Sequence, residues 1–321
     1  MNILTRGKGL RLGVAVAGIS LLALPVVALA QSTSGSTDSG VDLSITPLIR
    51  EINADQGQTI TGSVDVTNNS SDTQTIYPLV RDFTASNDPD TGAPSFSEIS
   101  GSDAKSVSQW VTFGKSSMEL AAGTTGTVNY TMNVPAGAEP GGHYGAIFAS
   151  TQAPDVSGTT GVAISARVGS LLLVTVSGDI RTAGDVVSFK ADKSIYQGSP
   201  VNFTMSLKNT GNVHFKPTGT IDIAGPVSTS LAVNGDGANV LPNSVRNFSA
   251  QLTDDLPFGR YTATLDLMAE TPNGDSLPLT ATTTFWVIPL STVLVVLLIL
   301  IVLYLLMKSW TKNSDKNNMK K

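Results

Sequence analysis

Two histidines, His143 and His214, and no cysteine are what the chain offers for imidazole or thiol chemistry. A thiolate nucleophile needs a cysteine, and a zinc site of the usual kind needs several Cys or His ligands. Neither can be built here. His143 lies in the turn Gly141-Gly142-His143-Tyr144, and His214 follows Asn209-Thr210-Gly211-Asn212. Both are expected as exposed turn residues. Ser102-Asp103-Ala104-Lys105 has the serine–lysine spacing of penicillin-interacting enzymes. It sits in a polar loop without the companion motifs, and chance spacing is the better account. Asp88, Asp90 and Gly92 begin like a calcium loop, but no later carboxylate stands at the EF-hand distance. They read as a simple turn. The expectation is therefore no catalytic residue, no cofactor and no metal, in a protein that is not an enzyme.

The elements that would position any site are bounded by two apolar ends. Leu10–Ala30 is apolar and follows Arg6 and Lys8, as a secretory signal does. Ala28 and Ala30 supply the small residues that a signal peptidase needs, so cleavage before Gln31 is expected. Residues 285–307 read as a transmembrane helix, with Phe285 and Trp286 at the outer boundary. Lys308, Trp310 and Lys312 stand at the inner one. Residues 308–321 form a basic cytoplasmic tail. The expected place is the cell membrane, single-pass, with the N-terminal part extracellular and the membrane itself a partner.

The formal net charge is −5, and every acidic residue except Asp315 lies between the two apolar ends. A nucleic-acid binder would carry the opposite sign there, so no nucleic-acid partner is expected. With no cysteine, no disulfide can hold the chain, and stability must come from apolar burial.

Between the ends, short alternating runs dominate. In Thr59–Thr67 the residues Ile60, Val64 and Val66 share one face, with Gly62 between them. Polar turn clusters such as Asn68-Asn69-Ser70-Ser71-Asp72 follow. Such strands at short spacing predict β-sandwiches.

The chain also repeats itself. Asp55–Asn68 aligns without a gap on Tyr196–Asn209, with Gln and Gly before the strand and Asn at its end. Pro140-Gly141-Gly142-His143-Tyr144 parallels Pro257-Phe258-Gly259-Arg260-Tyr261. In each copy Pro140, Gly142 and Tyr144, or Pro257, Gly259 and Tyr261, would form a corner. The Pro and Gly turn the chain, and the Tyr returns its hydroxyl to an upstream backbone group. The predicted fold is all-β, two tandem immunoglobulin-like sandwiches plus one C-terminal transmembrane helix. Its segments are a signal peptide at 1–30, a flexible tether at 31–40, domain 1 at 41–182 and domain 2 at 183–284. Ser86–Ser106 is expected as a surface excursion of the first domain.

This layout resembles the WxL-interacting proteins of bacterial cell surfaces. The likeness is carried by Gly57-Gln58-Thr59 leading to Val64–Asn69, by Ala121-Ala122-Gly123-Thr124, and by Gly141–Ala149. The resemblance implies a first domain associated with peptidoglycan and a second with another surface protein. No functional residue carries across by motif.

The leading expectation is a non-enzymatic, membrane-anchored protein that binds or scaffolds envelope components, peptidoglycan or another surface protein. One alternative is an assembly factor, like the periplasmic chaperones, that lends a strand to secreted subunits; the long apolar strand Val162–Val176 would serve. An uncovered hydrophobic face in the first domain would favour it. Another is a sortase-processed wall protein, because Leu277-Pro278-Leu279-Thr280-Ala281 resembles a sorting signal. The same five residues also alternate as a terminal strand should.

Overall fold

The computed structural model describes residues 41–96, 106–153 and 166–318, without the side chains of Thr292 and of residues 309–318. The expected signal, its cleavage residues Ala28, Ala30 and Gln31, the tether and the Ser102–Lys105 motif lie outside the described residues.

Alternation of apolar and polar residues builds the first sandwich. Its strands are β1 (Leu43–Thr46), β2 (Ile49–Ala54), β3 (Thr59–Asn68), β4 (Gln74–Ala85) and β5 (Pro94–Phe96). A helical turn α1 (Val107–Trp110) follows, then β6 (Val111–Phe113), β7 (Met118–Leu120), β8 (Thr125–Asn133), β9 (Gly141–Ser150) and β10 (Arg167–Val176). One sheet runs β1-β3-β8-β6. The other runs β2-β10-β9-β4-β5, with β7 also on β4. The chain changes sheets at Pro47, which has no N–H to continue the ladder to β3. Beyond it β2 lies parallel to β10, from Ile49 opposite Leu171 to Ala54 opposite Val176.

The core between the sheets holds Val64, Val66, Val128, Tyr130, Met132, Ile147, Leu172, Val174 and Val176. Each such side chain, fully buried, contributes about 1.5–3 kcal/mol. Gly62 faces Tyr130 across the ladder. A Cβ at 62 would stand 2.4 Å from that ring, so the glycine makes the space the tyrosine fills.

The second sandwich follows the same plan. Its strands are β11 (Gly184–Ala191), β12 (Ile195–Tyr196), β13 (Val201–Asn209), β14 (Lys216–Ala224), β15 (Ser228–Val233), β16 (Val245–Leu252), β17 (Gly259–Glu270) and β18 (Ser276–Val287). The sheets run β11-β13-β16 and β12-β18-β17-β14-β15. Phe203, Met205, Leu207, Tyr261, Leu265, Leu267 and Phe285 centre a separate core.

The repeat has a polar pin in each copy. Asn68 and Asn209 end equivalent strands and are fully buried. The Asn68 amide donates to the carbonyls of Asp72 at 2.8 Å and Leu120 at 3.0 Å. That of Asn209 donates to Val213 and Val240, both at 2.9 Å. In each copy the side-chain oxygen accepts the N–H two residues on, from Ser70 or Gly211. One asparagine thus closes its own turn and ties a distant loop to it.

The expected span at 285–307 is corrected. Phe285, Trp286 and Val287 belong to β18, and Phe285 is 1% exposed in the core. Helix α2 (Leu290–Asn318) begins only after them. Among the described residues no helix is long and apolar enough to cross a membrane. Leu290 and Val293–Met307 are exposed along α2.

Candidate functional site

The outer face of the five-stranded path in the first sandwich gathers the features that could hold another molecule. Strand β10 is bonded on both sides only in part. Against β9 it pairs along its whole length, from Arg167 opposite Ser150 to Val176 opposite Gly141. Against β2 the pairing starts at Leu171, whose N–H donates to the Leu48 carbonyl at 2.8 Å. Among the described residues, Arg167–Ser170 has no neighbour on that side. The Ala166 carbonyl accepts from Thr151, so even-numbered residues here turn toward β9. By alternation, the N–H and C=O groups of Arg167 and Gly169 point outward along an open edge.

The side chains beside this edge are apolar. Leu48 is 68% exposed and Ile49 51%. Leu171, Leu173, Ala146, Phe148, Tyr144 and Phe83 share the outer face and pack with Leu241 of the second sandwich. Phe96 meets Phe148 edge-on at 5.0 Å and Phe83 at 5.8 Å. The Arg167 guanidinium lies over the Phe148 ring at 5.8 Å, so its charge stays at the rim while its stem covers the aromatic.

The same face meets the second sandwich at a polar junction. The Tyr144 hydroxyl accepts the His214 backbone N–H at 2.9 Å and shares a hydrogen bond with its Nδ1 at 3.2 Å. Nε2 of the same ring is buried without a partner among the described residues. Burial holds the imidazole well below its ordinary range, at about 4; Lys216 adds to the effect and Glu51 opposes it. Burial likewise raises the Tyr144 phenol. Glu51 and Lys216 pair across the junction at 3.5 Å. Gly142 donates its N–H to Asn212 at 2.7 Å. Farther out, Asn247 donates its backbone N–H to Pro89 at 2.9 Å and its amide to Asp90 at 2.6 Å.

With this geometry in hand, comparison with known proteins gives only distant likenesses. No family model and no curated protein matches the chain. Among solved structures it is similar to a chaperone–tip adhesin complex of CFA/I fimbriae. The identity is 15%, over 77% of this chain and 99% of that one, with a TM-score of 0.38. It is similar to the class 5 fimbriae chaperone CfaA at 15% identity, over 78% and 100% of the two chains, with a TM-score of 0.37. It is also similar to the chaperone–adhesion subunit complex CsuC–CsuE of Acinetobacter baumannii, at 13% identity over 74% and 98%, with a TM-score of 0.38.

These findings replace the resemblance to WxL-interacting proteins. The residues that suggested it, such as Gly57-Gln58-Thr59 and Ala121–Thr124, form turns and strand ends that any such sandwich can share. No finding supports peptidoglycan or the membrane as a partner, and the single-pass membrane location is corrected, because no helix among the described residues is long and apolar enough to cross. Phe285 and Trp286 lose the anchor role, because both belong to β18. Trp286 is instead 42% exposed on β18, opposite Ile195 and Arg260. Lys308 lies on α2, and the side chains of Trp310 and Lys312 are outside the described residues.

The histidines are also corrected. His143 is 6% exposed and His214 1%. Each lies where chain from another element closes over the turn: α1 over His143, whose ring is 4.7 Å from that of Trp110, and β9 over His214. The corner residues divide. In the second sandwich Tyr261 donates its hydroxyl to the Pro257 carbonyl at 3.0 Å. In the first, the bond four residues back is made by His143 Nε2, to Glu139 at 2.8 Å. Pro140 and Gly142 instead hold Asn212 from the other sandwich. Gly259 opens β17 opposite Val287. Leu277–Ala281 is held in β18 against Leu265–Ala269. Asp88 and Asp90 form a turn in which the Asp90 N–H donates to the Asp88 carboxylate at 3.0 Å. No group of three metal-ligating side chains occurs among the described residues.

Sequence reading missed the junction. Its one visible signal was a pair of histidines, in different turns, of a chain otherwise without them.

Proposed function

We propose that the protein is a non-enzymatic assembly factor that holds an extended segment of a secreted subunit as an added strand beside β10. One observation carries the reading: among the described residues Arg167–Ser170 is bonded on one edge only, next to an exposed apolar face. An incoming strand would find the outward N–H and C=O groups of Arg167 and Gly169 for main-chain bonds. Ile49, Leu171 and Phe148 would take every second side chain. From Leu171 onward β2 occupies that edge, so the lending is confined to the N-terminal part of β10.

The test uses the full chain and a fluorescein-labelled octapeptide of alternating Val and Thr, read by fluorescence anisotropy. Arg167→Pro removes an outward N–H that serves no bond among the described residues, and an edge position tolerates proline. Arg167→Ala removes the side chain alone. Binding should survive Arg167→Ala and fall at least tenfold in Arg167→Pro. Equal binding by the proline variant would overturn the proposal.

A further inference from the structure

Three alternate residues of one short segment reach from the second sandwich to the first. Asn212, His214 and Lys216 lead into β14. The Asn212 carbonyl accepts from the Gly142 N–H at 2.7 Å, and its amide donates to the Pro140 carbonyl at 3.3 Å. His214 engages Tyr144 through both its backbone N–H and its ring. Lys216 pairs with Glu51 on β2 at 3.5 Å. The middle contact is the buried one. His214 is 1% exposed, whereas the side chains of Lys216 and Glu51 are 38% and 39% exposed. In the apolar cluster around Tyr144, Leu241 alone among the described residues comes from the second sandwich. The junction therefore hangs on polar contacts with the imidazole at their centre.

That ring is poorly placed to carry a charge. In either neutral tautomer the bond to the Tyr144 hydroxyl satisfies Nδ1. Protonation makes both ring nitrogens donors. Nδ1–H must then donate to a hydroxyl oxygen that already accepts the His214 backbone N–H. Nε2–H meets no acceptor among the described residues. An imidazolium there is a desolvated charge with an unanswered donor.

The groups around it do not relieve that cost. Glu51 on β2 favours the charged form and Lys216 on β14 opposes it, and the two are paired with each other. Asn239 and Leu241, from the loop before β16, bring no charge. Asn239 donates to Glu51 at 3.5 Å, and Arg246 turns its guanidinium to the Asn239 carbonyl at 2.8 Å. In the linker, Arg181 donates to the Thr210 carbonyl at 3.4 Å. On β9, His143 turns to the other face and packs on Trp110. Burial dominates, and the closed ring protonates only near pH 4.

We propose that this junction is an acid-opened hinge: protonation of His214 releases Tyr144 and parts the segment Asn212–Lys216 from β9 while both cores stay folded. In the open form water reaches the ring, which then titrates near its ordinary value of about 6.5. Between that value and about 4 the open form binds more protons than the closed one. The open-to-closed ratio is therefore constant above about pH 6.5 and rises about tenfold per unit below it, by about 300-fold in all.

The experiment is hydrogen exchange of the full chain at pH 7.5 and 4.5, with protection factors corrected for intrinsic rates, alongside an NMR titration of the His214 ring. The amides of Gly142 and His214 should lose about 80-fold in protection at the lower pH. The amides of Phe203 and Leu265, in the second core, should stay better protected than these at both. His214→Gln, uncharged at either pH, should abolish the loss. The ring of the unaltered chain should titrate well below 6.5, with the loss of protection following its protonation. If His214→Gln does not fold, that titration decides alone. An unchanged junction in acid, a loss retained in His214→Gln, a ring that titrates near 6.5, or junction and core amides sharing one protection factor would each overturn the hinge.

Discussion

The corners of the two sandwiches differ by one residue, and that residue decides what each corner does. In the second, Tyr261 points into the core, stacks on Phe285 at 5.5 Å and ties its hydroxyl to Pro257. In the first, Gly141 takes the ladder position that Gly259 takes in the second, opposite the last residue of the next strand. His143 therefore stands where Tyr261 stands, and Tyr144 falls one place later. A shift of one residue turns a side chain to the other face of a strand. Tyr144 is thereby released from its own core and engages His214 of the other sandwich. The corner of one copy stabilises a single fold, and that of the other joins two.

The sharpest way to break the comparison is through what the copies share. Asn68→Ala and Asn209→Ala each strip buried carbonyls of their donors, and each should cost about 2–4 kcal/mol in denaturant unfolding. A much smaller loss in one copy would mean the pin is not equivalent. Next comes pH. His214 has a folded value of about 4 against 6.5 unfolded, so between these values the unfolded chain binds more protons. Stability is then flat above about pH 6.5 and falls as the pH drops toward 4, by about 3 kcal/mol in all. Thermal midpoints across that range should show the fall, and His214→Gln should flatten it. Smaller again, Tyr144→Phe and Tyr261→Phe should each cost about 1–2 kcal/mol. Hydrogen exchange should place the first loss at β9 and Phe215 and the second within β17. The smallest effect, about 0.5 kcal/mol, is expected for the exposed contact removed by Asn247→Ala.

The all-β class was legible because alternation is a local property. Val64 and Val66, or Phe203 and Met205, declare a buried face without knowledge of the partner strand. The repeated Asn was legible for the same reason: a strand end followed by a turn needs an acceptor and donor at that place. The tyrosine pairing was read in the wrong register, since Pro-x-Gly-x-Tyr matches by letter whereas ladder position is set by pairing with β10 and β18. The long apolar run after Trp286 read as a span from its composition, but Phe285 and Val287 are claimed by the second core. The open edge of β10 could not be seen at all. Which residues of a strand lack a neighbour depends on where a distant strand begins, here on β2 starting at Ile49.

The segment after β4, read as a mere excursion, crosses to β16, where Pro89 and Asp90 receive Asn247. The sandwiches are therefore fastened at three places: by the covalent connection after Val176, by the Tyr144–His214 junction and by this strap. One fastening leaves a swivel; several, set apart, make a bracket. Cargo laid along β10 would meet a seat whose pitch is fixed beforehand. Severing the strap would remove one of those fastenings without touching a single contact in the seat.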